Sequence, residues 1–220
     1  MKVSFEDVKN NQEIRSYILS SDSALKTLGF TEHSFAHVTK VSKNASRILE
    51  KLGYSEKCLE LAAIAGFMHD IGNCVNRINH AQSSACMAFS LLRDMGMEPE
   101  NIATVISAIG NHDEGTASTI DPITAAIILA DKGDIRKSRV RHSSEVAFDI
   151  HDRVNYAAKN AEFILDADKK TITFRIDIDE EISSPIEYFE IFLDRMVLCK
   201  KAAAVLDLRF RLVINGAKMS

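Results

Sequence analysis

The chain has 220 residues, of which 46% are hydrophobic, and it carries a formal charge of −4 at pH 7. This length is enough for one large domain or for a main domain with an appendage, and the apolar fraction supports a sizeable core. The slightly acidic balance excludes a global basic field, so we expect no dedicated nucleic-acid binding.

The N-terminal sequence MKVSFEDVKNNQ lacks the apolar segment of a secretory signal peptide. No stretch of the sequence approaches the roughly 20 consecutive apolar residues that a membrane span needs. The four cysteines form no C-x-x-C pair and are interpreted as reduced thiols. We therefore expect a cytoplasmic protein with no membrane partner.

Apolar residues recur at helical spacing over the first two thirds of the chain, and the first proline is Pro99. Helices are predicted at 8–20, 31–52, 55–70, 80–95, 99–112, 121–137 and 144–164. Thr31 is the expected N-cap of the second helix, and Gly53 is its expected C-terminal stop.

The pattern changes after residue 160. Residues 161–178, AEFILDADKKTITFRIDI, contain two strand-like runs around DADKK, and the second run alternates partly with period two. A helix at 186–206, starting after Pro185, and a third strand candidate at 208–215 follow. The prediction is a mostly α protein, with a helical domain at 1–160 and a small C-terminal α+β appendage at 161–220 (two strands, a helix and a strand).

One apolar run ends in an adjacent histidine and aspartate. Residues 62–73 read AAIAGFMHDIGN, and His69 and Asp70 follow residues that favour burial. A buried, charged and unpaired carboxylate costs several kcal/mol, so Asp70 needs a compensating partner.

Other polar residues continue the apolar stripes of their predicted helices. His37 aligns with Val41 and Ala45, His112 extends the stripe of its helix, Asp131 follows Ile127 by one turn, and His80 begins the next helix. The simplest common cause is that these side chains converge on a cation inside the bundle. Mixed His and Asp ligands favour one or two divalent transition metals, Fe or Mn first, with Mg, Zn, Ni or Co as alternatives.

The order of His37, His69-Asp70 and a late Asp131 within LADKGDIR resembles the HD-domain metal-dependent phosphohydrolase superfamily over residues 30–140. The extra His80 and His112 resemble the members that bind two metals, such as HD-GYP cyclic-dinucleotide phosphodiesterases and bacterial diadenosine-polyphosphate hydrolases. The resemblance implies an HD-domain helical bundle with a first ion on His37, His69, Asp70 and Asp131. It also implies a second ion on His80 and His112, with Asp70 as the bridging carboxylate, and catalytic roles for Asp70, His80 and His112.

Two departures limit this resemblance. Asn73 stands where HD-GYP proteins usually have a lysine, and residues 110–118, GNHDEGTAS, contain one histidine and no GYP signature. These differences argue against cyclic di-GMP as the substrate.

The basic run DKGDIRKSRVRH, residues 131–142, suits phosphate, because arginine matches phosphate oxygens with two hydrogen bonds. Asn73, Lys132, Arg136 and Arg139 are the predicted substrate-binding residues, although a solvated helix end explains the basic run equally well. His33, His142 and the second His-Asp pair at His151 are interpreted as surface residues.

The sequence thus favours a metal-dependent phosphohydrolase, either a phosphomonoesterase or a phosphodiesterase. It would cleave an ester or anhydride of a nucleotide or another small phosphorylated substrate with a metal-activated water. Two alternatives stay open, namely a non-catalytic metal-binding signalling or scaffold module and an HD-fold di-iron oxygenase. A homodimer through the appendage is compatible with the sequence.

Overall fold

The computed structural model describes residues 2–141 and 149–219. Its helices are α1 Phe5–Asn10, α2 Gln12–Thr27, α3 Phe35–Lys51, α4 Glu56–Met68, α5 His80–Asp94, α6 Pro99–Gly110, α7 Pro122–Lys132, α8 Ile150–Ala157 and α9 Pro185–Val205. Its strands are β1 Ala158–Asp166, β2 Thr171–Ile178, β3 Arg209–Ile214 and β4 Ala217–Lys218. Single 3-10 turns span Ile71–Cys74 and Lys137–Arg139. No helix in the described residues combines the length and apolar character of a bilayer span.

Helix α4 is the central helix of the bundle. Every residue from Leu61 to Met68 is buried, and α4 packs against α3, α6 and α7. A side chain at Gly66 would place its Cβ 3.0 Å from the backbone of Ser42, so this glycine allows α3 and α4 to cross closely. The apolar run in the sequence therefore carries His69 and Asp70 into the middle of the fold.

Two predicted helix starts differ from the structure. Helix α3 begins at Phe35 with Ser34 as its N-cap rather than Thr31, because Glu32 N donates to Arg139 O over 2.8 Å and holds the preceding segment extended. The helix predicted at 8–20 is two helices, because Asn11 leaves the helical conformation and its side chain caps α2.

Helix α7 ends at Lys132, not at residue 137 as predicted. Gly133 caps it, and a Cβ at Gly133 would lie 2.3 Å from the Phe163 ring of β1. The backbone of this turn thus packs closely against the Phe163 side chain of the sheet.

The helix predicted at 144–164 is wrong from Ala158 onward. Residues 144–148 lie outside the described part of the chain, α8 covers Ile150–Ala157, and β1 then begins before the predicted start at 161. Antiparallel pairing with β2, in which Phe163 faces Phe174, outweighs the helical propensity of this stretch.

The sheet has the order β1-β2-β3-β4. Strands β1 and β2 are antiparallel, β2 and β3 are parallel and joined through α9, and β4 is a short fourth strand absent from the prediction. Helix α9 starts with a capping box between Ser184 and Glu187 and packs against α7. The mostly α architecture with a small C-terminal sheet is confirmed, whereas a domain boundary at residue 160 stays a prediction.

Candidate metal centre

Five parts of the bundle deliver the predicted ligands to one buried point. His37 lies on the inner face of α3, and His80 is the first residue of α5. His69 caps the C-terminus of α4 and Asp70 follows it outside the helix, while His112 lies just beyond α6 rather than within it. Asp131 lies in the last turn of α7.

A first group of donor atoms consists of two imidazole nitrogens and two carboxylate oxygens. The Nε2 atoms of His37 and His69 are 3.3 Å apart. Asp131 Oδ1 is 3.3 Å from His37 Nε2 and 3.7 Å from His69 Nε2. Asp70 Oδ2 is 3.3 Å from His69 Nε2 and 3.8 Å from His37 Nε2. Four donors therefore surround one small volume.

A second group uses the other oxygen of the same aspartate. Asp70 Oδ1 lies 3.2 Å from His80 Nε2 and 3.8 Å from His112 Nε2. Another carboxylate oxygen, Asp113 Oδ1, is 3.8 Å from His80 Nε2. Asp70 thus faces the two groups with its two oxygens, as expected for a carboxylate shared between two sites.

The hydrogen bonds at the outer ring nitrogens determine what the four imidazoles present to the centre. His37 Nδ1 donates to Asp134 Oδ2 over 2.8 Å, and His69 Nδ1 donates to the Gly66 carbonyl over 2.9 Å. The outer nitrogens of the other two rings also donate to carbonyls, namely His80 Nδ1 to Arg77 O and His112 Nδ1 to Ile109 O. In the neutral state every Nε2 therefore presents a lone pair to the centre.

Without a metal, a proton compensates the negative charge of the site. Burial alone would lower the pKa of His69, but the carboxylates of Asp70 and Asp131 outweigh it and raise the pKa to about 10. Burial likewise opposes ionisation of Asp70, yet His69 and the hydrogen bonds of His112 and His80 hold the pKa of Asp70 well below its usual range. The site is thus built for positive charge between ionised carboxylates.

The donor set fits a transition metal. With metal–ligand bonds of about 2.0–2.2 Å, neighbouring donors are separated by about 3.0 Å in octahedral and about 3.4 Å in tetrahedral coordination. The four closest separations, from 3.2 to 3.3 Å, lie in this range, and the others reach 3.8 Å. Three donor sets each lie close enough to share one ion, namely His37-His69-Asp70, Asp70-His80-His112 and His69-His112-Asp131, and the third crosses between the two groups.

The predicted substrate-binding residues occupy different positions. Lys132 lines the cavity above the site, and its Nζ is 2.6 Å from Asp131 Oδ2. Asn73 is buried and donates from Nδ2 to Asp70 Oδ1 over 3.0 Å, so it supports the aspartate. Arg139 lines the cavity, but Arg136 does not and instead contacts Asp134, Glu32 and Ser138.

A cavity of about 410 Å³ opens onto Asp70, Asp131, His80 and His112. Its wall also contains side chains from outside the basic run at 131–142, namely Phe30, Arg77, Asp152, Asn155, Phe192 and Arg195. Because α9 packs against α7, it brings Phe192 and Arg195 to the site across more than sixty positions of sequence. No local pattern in the sequence identifies this contribution.

The surface interpretation of His33 is wrong. Its ring lines the cavity, with Nδ1 2.7 Å from Thr31 O and Nε2 3.0 Å from Arg139. Burial, reinforced by the Arg139 charge, holds the pKa of His33 well below its usual value. His151 is exposed at the cavity mouth, whereas its neighbour Asp152 is buried in the cavity wall, so the surface interpretation of the second His-Asp pair holds only for the histidine. His142 lies outside the described residues.

Comparisons with known proteins identify the family of this chain. The HD domain family model matches residues 34–152, which include all six predicted metal ligands. An uncharacterized protein of Methanocaldococcus jannaschii is 26% identical over 204 residues, spanning 82% of this chain and 78% of its own length. The crystal structure of a predicted HD superfamily hydrolase from an uncultured Thermotogales bacterium is 26% identical, with a TM-score of 0.43, covering 62% of this chain and 79% of its own.

Proposed function

Because the chain belongs to the HD domain family, we propose that it is a metal-dependent phosphohydrolase. Its substrate is proposed to be a nucleotide or another small phosphorylated molecule, cleaved at a phosphate ester or anhydride by a metal-activated water. His37, His69, Asp70 and Asp131 would hold one divalent ion, and His80 and His112 would hold another with Asp70. Fe and Mn are the proposed metals, because mixed imidazole and carboxylate ligands suit them.

The observation that carries this proposal is the orientation of the imidazoles. Each of the four rings commits Nδ1 to a carbonyl or carboxylate, and each directs Nε2 at Asp70 or Asp131. A hydrogen-bonded core histidine needs no second acceptor at Nε2. Four such rings around two carboxylates favour a site for cations over a purely structural polar network.

Bound divalent cations would polarise the phosphate oxygens and lower the pKa of a water molecule beside them. Asp70 couples the two donor groups, because its two oxygens face different groups and its backbone leaves the helical conformation immediately after His69. Asn73 orients Asp70 from behind through the hydrogen bond to Oδ1. The chain thus contributes fixed ligand directions and a pre-oriented carboxylate.

The cavity supports a small anionic substrate. Its volume of about 410 Å³ lies within the range of small-molecule sites, and a folded polymer would not enter it. Lys132 and Arg77 both line it, together with Asp70 and Asp131. Despite burial, Asp131 and Glu114 raise the pKa of Lys132, so this lysine is charged at neutral pH.

Hydrolysis assays test the proposal. Protein loaded with Mn²⁺ or Fe²⁺ is incubated with p-nitrophenyl phosphate, bis-p-nitrophenyl phosphate and a panel of nucleotides. We expect phosphate release that depends on the metal and is lost in Asp70→Ala, while Asp94→Ala, an exposed aspartate paired with Arg93, retains it. A metal-loaded protein that hydrolyses no ester would support the scaffold alternative, and metal-dependent oxygen consumption would support the oxygenase alternative.

A further inference from the structure

Helix α9 supplies part of the wall of the proposed active site, although it lies outside the residues that the family model matches. Arg195 and Phe192 line the cavity together with Asp70 and Asp131. The family ligands are therefore only one side of the cavity, and the C-terminal part of this chain forms another.

Arg195 is connected to the predicted ligand Asp131 through Glu114 and Lys132. Its Nε is 2.5 Å from Glu114 Oε1, and its guanidinium lies over the Phe192 ring, 4.6 Å from the centroid. The other Glu114 oxygen, Oε2, is 2.9 Å from Lys132 Nζ, which also contacts Asp131. Arg195 is thus fixed in place, which reduces the entropy lost when it binds a ligand.

The charges of Arg195, Glu114 and Lys132 favour an anion beside them. Glu114 receives Lys132 Nζ on Oε2 and Arg195 Nε on Oε1, so one carboxylate lies between two cationic side chains. Once Asp131 is engaged with a cation through Oδ1, two cationic side chains share the one carboxylate of Glu114. Lys132 and Arg195 together then exceed Glu114 by one positive charge, which a phosphate bound beside them would balance.

Arg77 lines the cavity as Arg195 does, but the two arginines that contact Asp134 are already committed to the protein. Arg136 donates from Nε and both terminal nitrogens to Asp134, Ser138 and Glu32. Arg139 uses its three nitrogens on Glu32 O, Asp134 O and His33. Arg195 differs from Arg136 because it lines the cavity, and from Arg139 because its side chain is 29% rather than 6% exposed.

We propose that Arg195 binds the phosphate group of the substrate, so that α9 completes the active site. The proposal rests on the phosphohydrolase function, because it takes the ligand to be a phosphate. Arginine suits this role, since its planar guanidinium matches two phosphate oxygens at once. Glu114 acts as a positioning residue that holds Arg195 and Lys132 side by side.

Binding of inorganic phosphate to the Mn²⁺-loaded full chain tests the role of Arg195 without requiring turnover. Isothermal titration calorimetry would compare the wild type with Arg195→Met, Arg195→Lys and Arg153→Met. We expect Arg195→Met to weaken binding by about tenfold to a hundredfold, as for a lost charge-assisted hydrogen bond. Arg195→Lys, which keeps the charge but not the fork, should lie between this variant and the wild type.

Arg153→Met is the matched control. Arg153 lies on α8 and pairs with Glu187 of α9, the helix that carries Arg195, but Arg153 does not line the cavity. It should bind phosphate as the wild type does, and all variants should retain the wild-type Mn²⁺ content and a folded circular dichroism spectrum. If Arg195→Met does not fold, the comparison between Arg195→Lys and the wild type decides.

Equal affinities of the wild type and the Arg195 variants, or no phosphate binding by the wild type, would overturn the role of Arg195. The outcome for the proposed function is separate. A wild type that binds phosphate through Arg195 but hydrolyses no ester would refute the phosphohydrolase activity and leave the binding site standing. If esters are hydrolysed, Arg195→Met should raise KM more than it lowers kcat.

Discussion

His37 Nδ1 donates a hydrogen bond to Asp134 Oδ2 over 2.8 Å, and both side chains are fully buried. Lys40 Nζ and Arg136 Nε, at 2.8 and 3.0 Å, compensate the other oxygen, Asp134 Oδ1. Burial opposes ionisation of Asp134, but the His37 hydrogen bond and the charge of Arg139 outweigh it and hold the pKa of Asp134 far below its usual value. A permanent carboxylate therefore sets the direction in which His37 presents Nε2 to the centre.

Removing Asp134 should weaken metal binding without removing a ligand. For Asp134→Ala we expect a loss of about tenfold to a hundredfold in affinity, the range for partners of metal-binding histidines. Asp134→Asn keeps an acceptor oxygen and should lose less. Competition with a chelating indicator measures both values, and Asp94→Asn serves as the exposed control. Wild-type affinity in Asp134→Ala would contradict this role.

Gly72 should not tolerate a side chain. A Cβ there would lie 2.4 Å from both His80 O and Ser84 N, which are backbone atoms at the start of α5. We therefore expect Gly72→Ala to lower the free energy of unfolding by about 1–3 kcal/mol, as for an overpacked core. Urea denaturation of metal-free protein measures this loss. Gly110→Ala is the control, because its Cβ would meet only Ala85 at an ordinary 3.6 Å, and an equal loss in both variants would contradict the prediction.

Metal uptake should release protons at neutral pH. The pKa of His69 is raised to about 10 in the metal-free fold, so the ring is protonated at pH 7, whereas a metal ligand must be neutral. Metal affinity should therefore fall as the pH is lowered. Calorimetric titrations of Mn²⁺ at pH 7 in two buffers with different ionisation enthalpies should give different apparent heats. Identical heats would show that no proton leaves.

The same pKa shift predicts how the stability of the metal-free protein depends on pH. A pKa raised above the unfolded value of about 6.5 means that the folded state binds the proton more tightly. This contribution to stability is complete below pH 6.5, declines above it, and is lost as the pH passes 10. Urea midpoints of metal-free wild type and His69→Gln should therefore converge as the pH rises from 6.5 to 10. A constant difference across this range would contradict the prediction.

The candidate ligands that the sequence singled out lie close together in the structure, because burial leaves a periodic trace in the sequence. His37 continues the stripe of Val41 and Ala45, and all three are buried in the structure. Asp70 follows the apolar run that becomes α4. Such local patterns also predicted the helices that carry these residues, which is why the helical part of the fold was recognisable.

The contributions that the sequence did not reveal depend on tertiary contacts. Residues 158–164 fall within a predicted helix, although a strand-like run begins at 161, and pairing with β2 makes the whole segment a strand. His33 is placed in the cavity wall by Arg139, which is far away in the sequence. Arg195 lies on a helix whose other residues resemble an ordinary core-facing stripe, so only the packing of α9 on α7 shows that it reaches the site.

Metal content of the wild type and of Asp70→Ala, measured by elemental analysis after dialysis against Mn²⁺, tests the central claim most directly. Because Asp70 faces both donor groups, one substitution should reduce the bound metal at both. We expect up to two ions per wild-type chain and less than one in Asp70→Ala, while His151→Ala, at an exposed histidine near Asp149, matches the wild type. An Asp70→Ala protein with the wild-type metal content would contradict the assignment of this site.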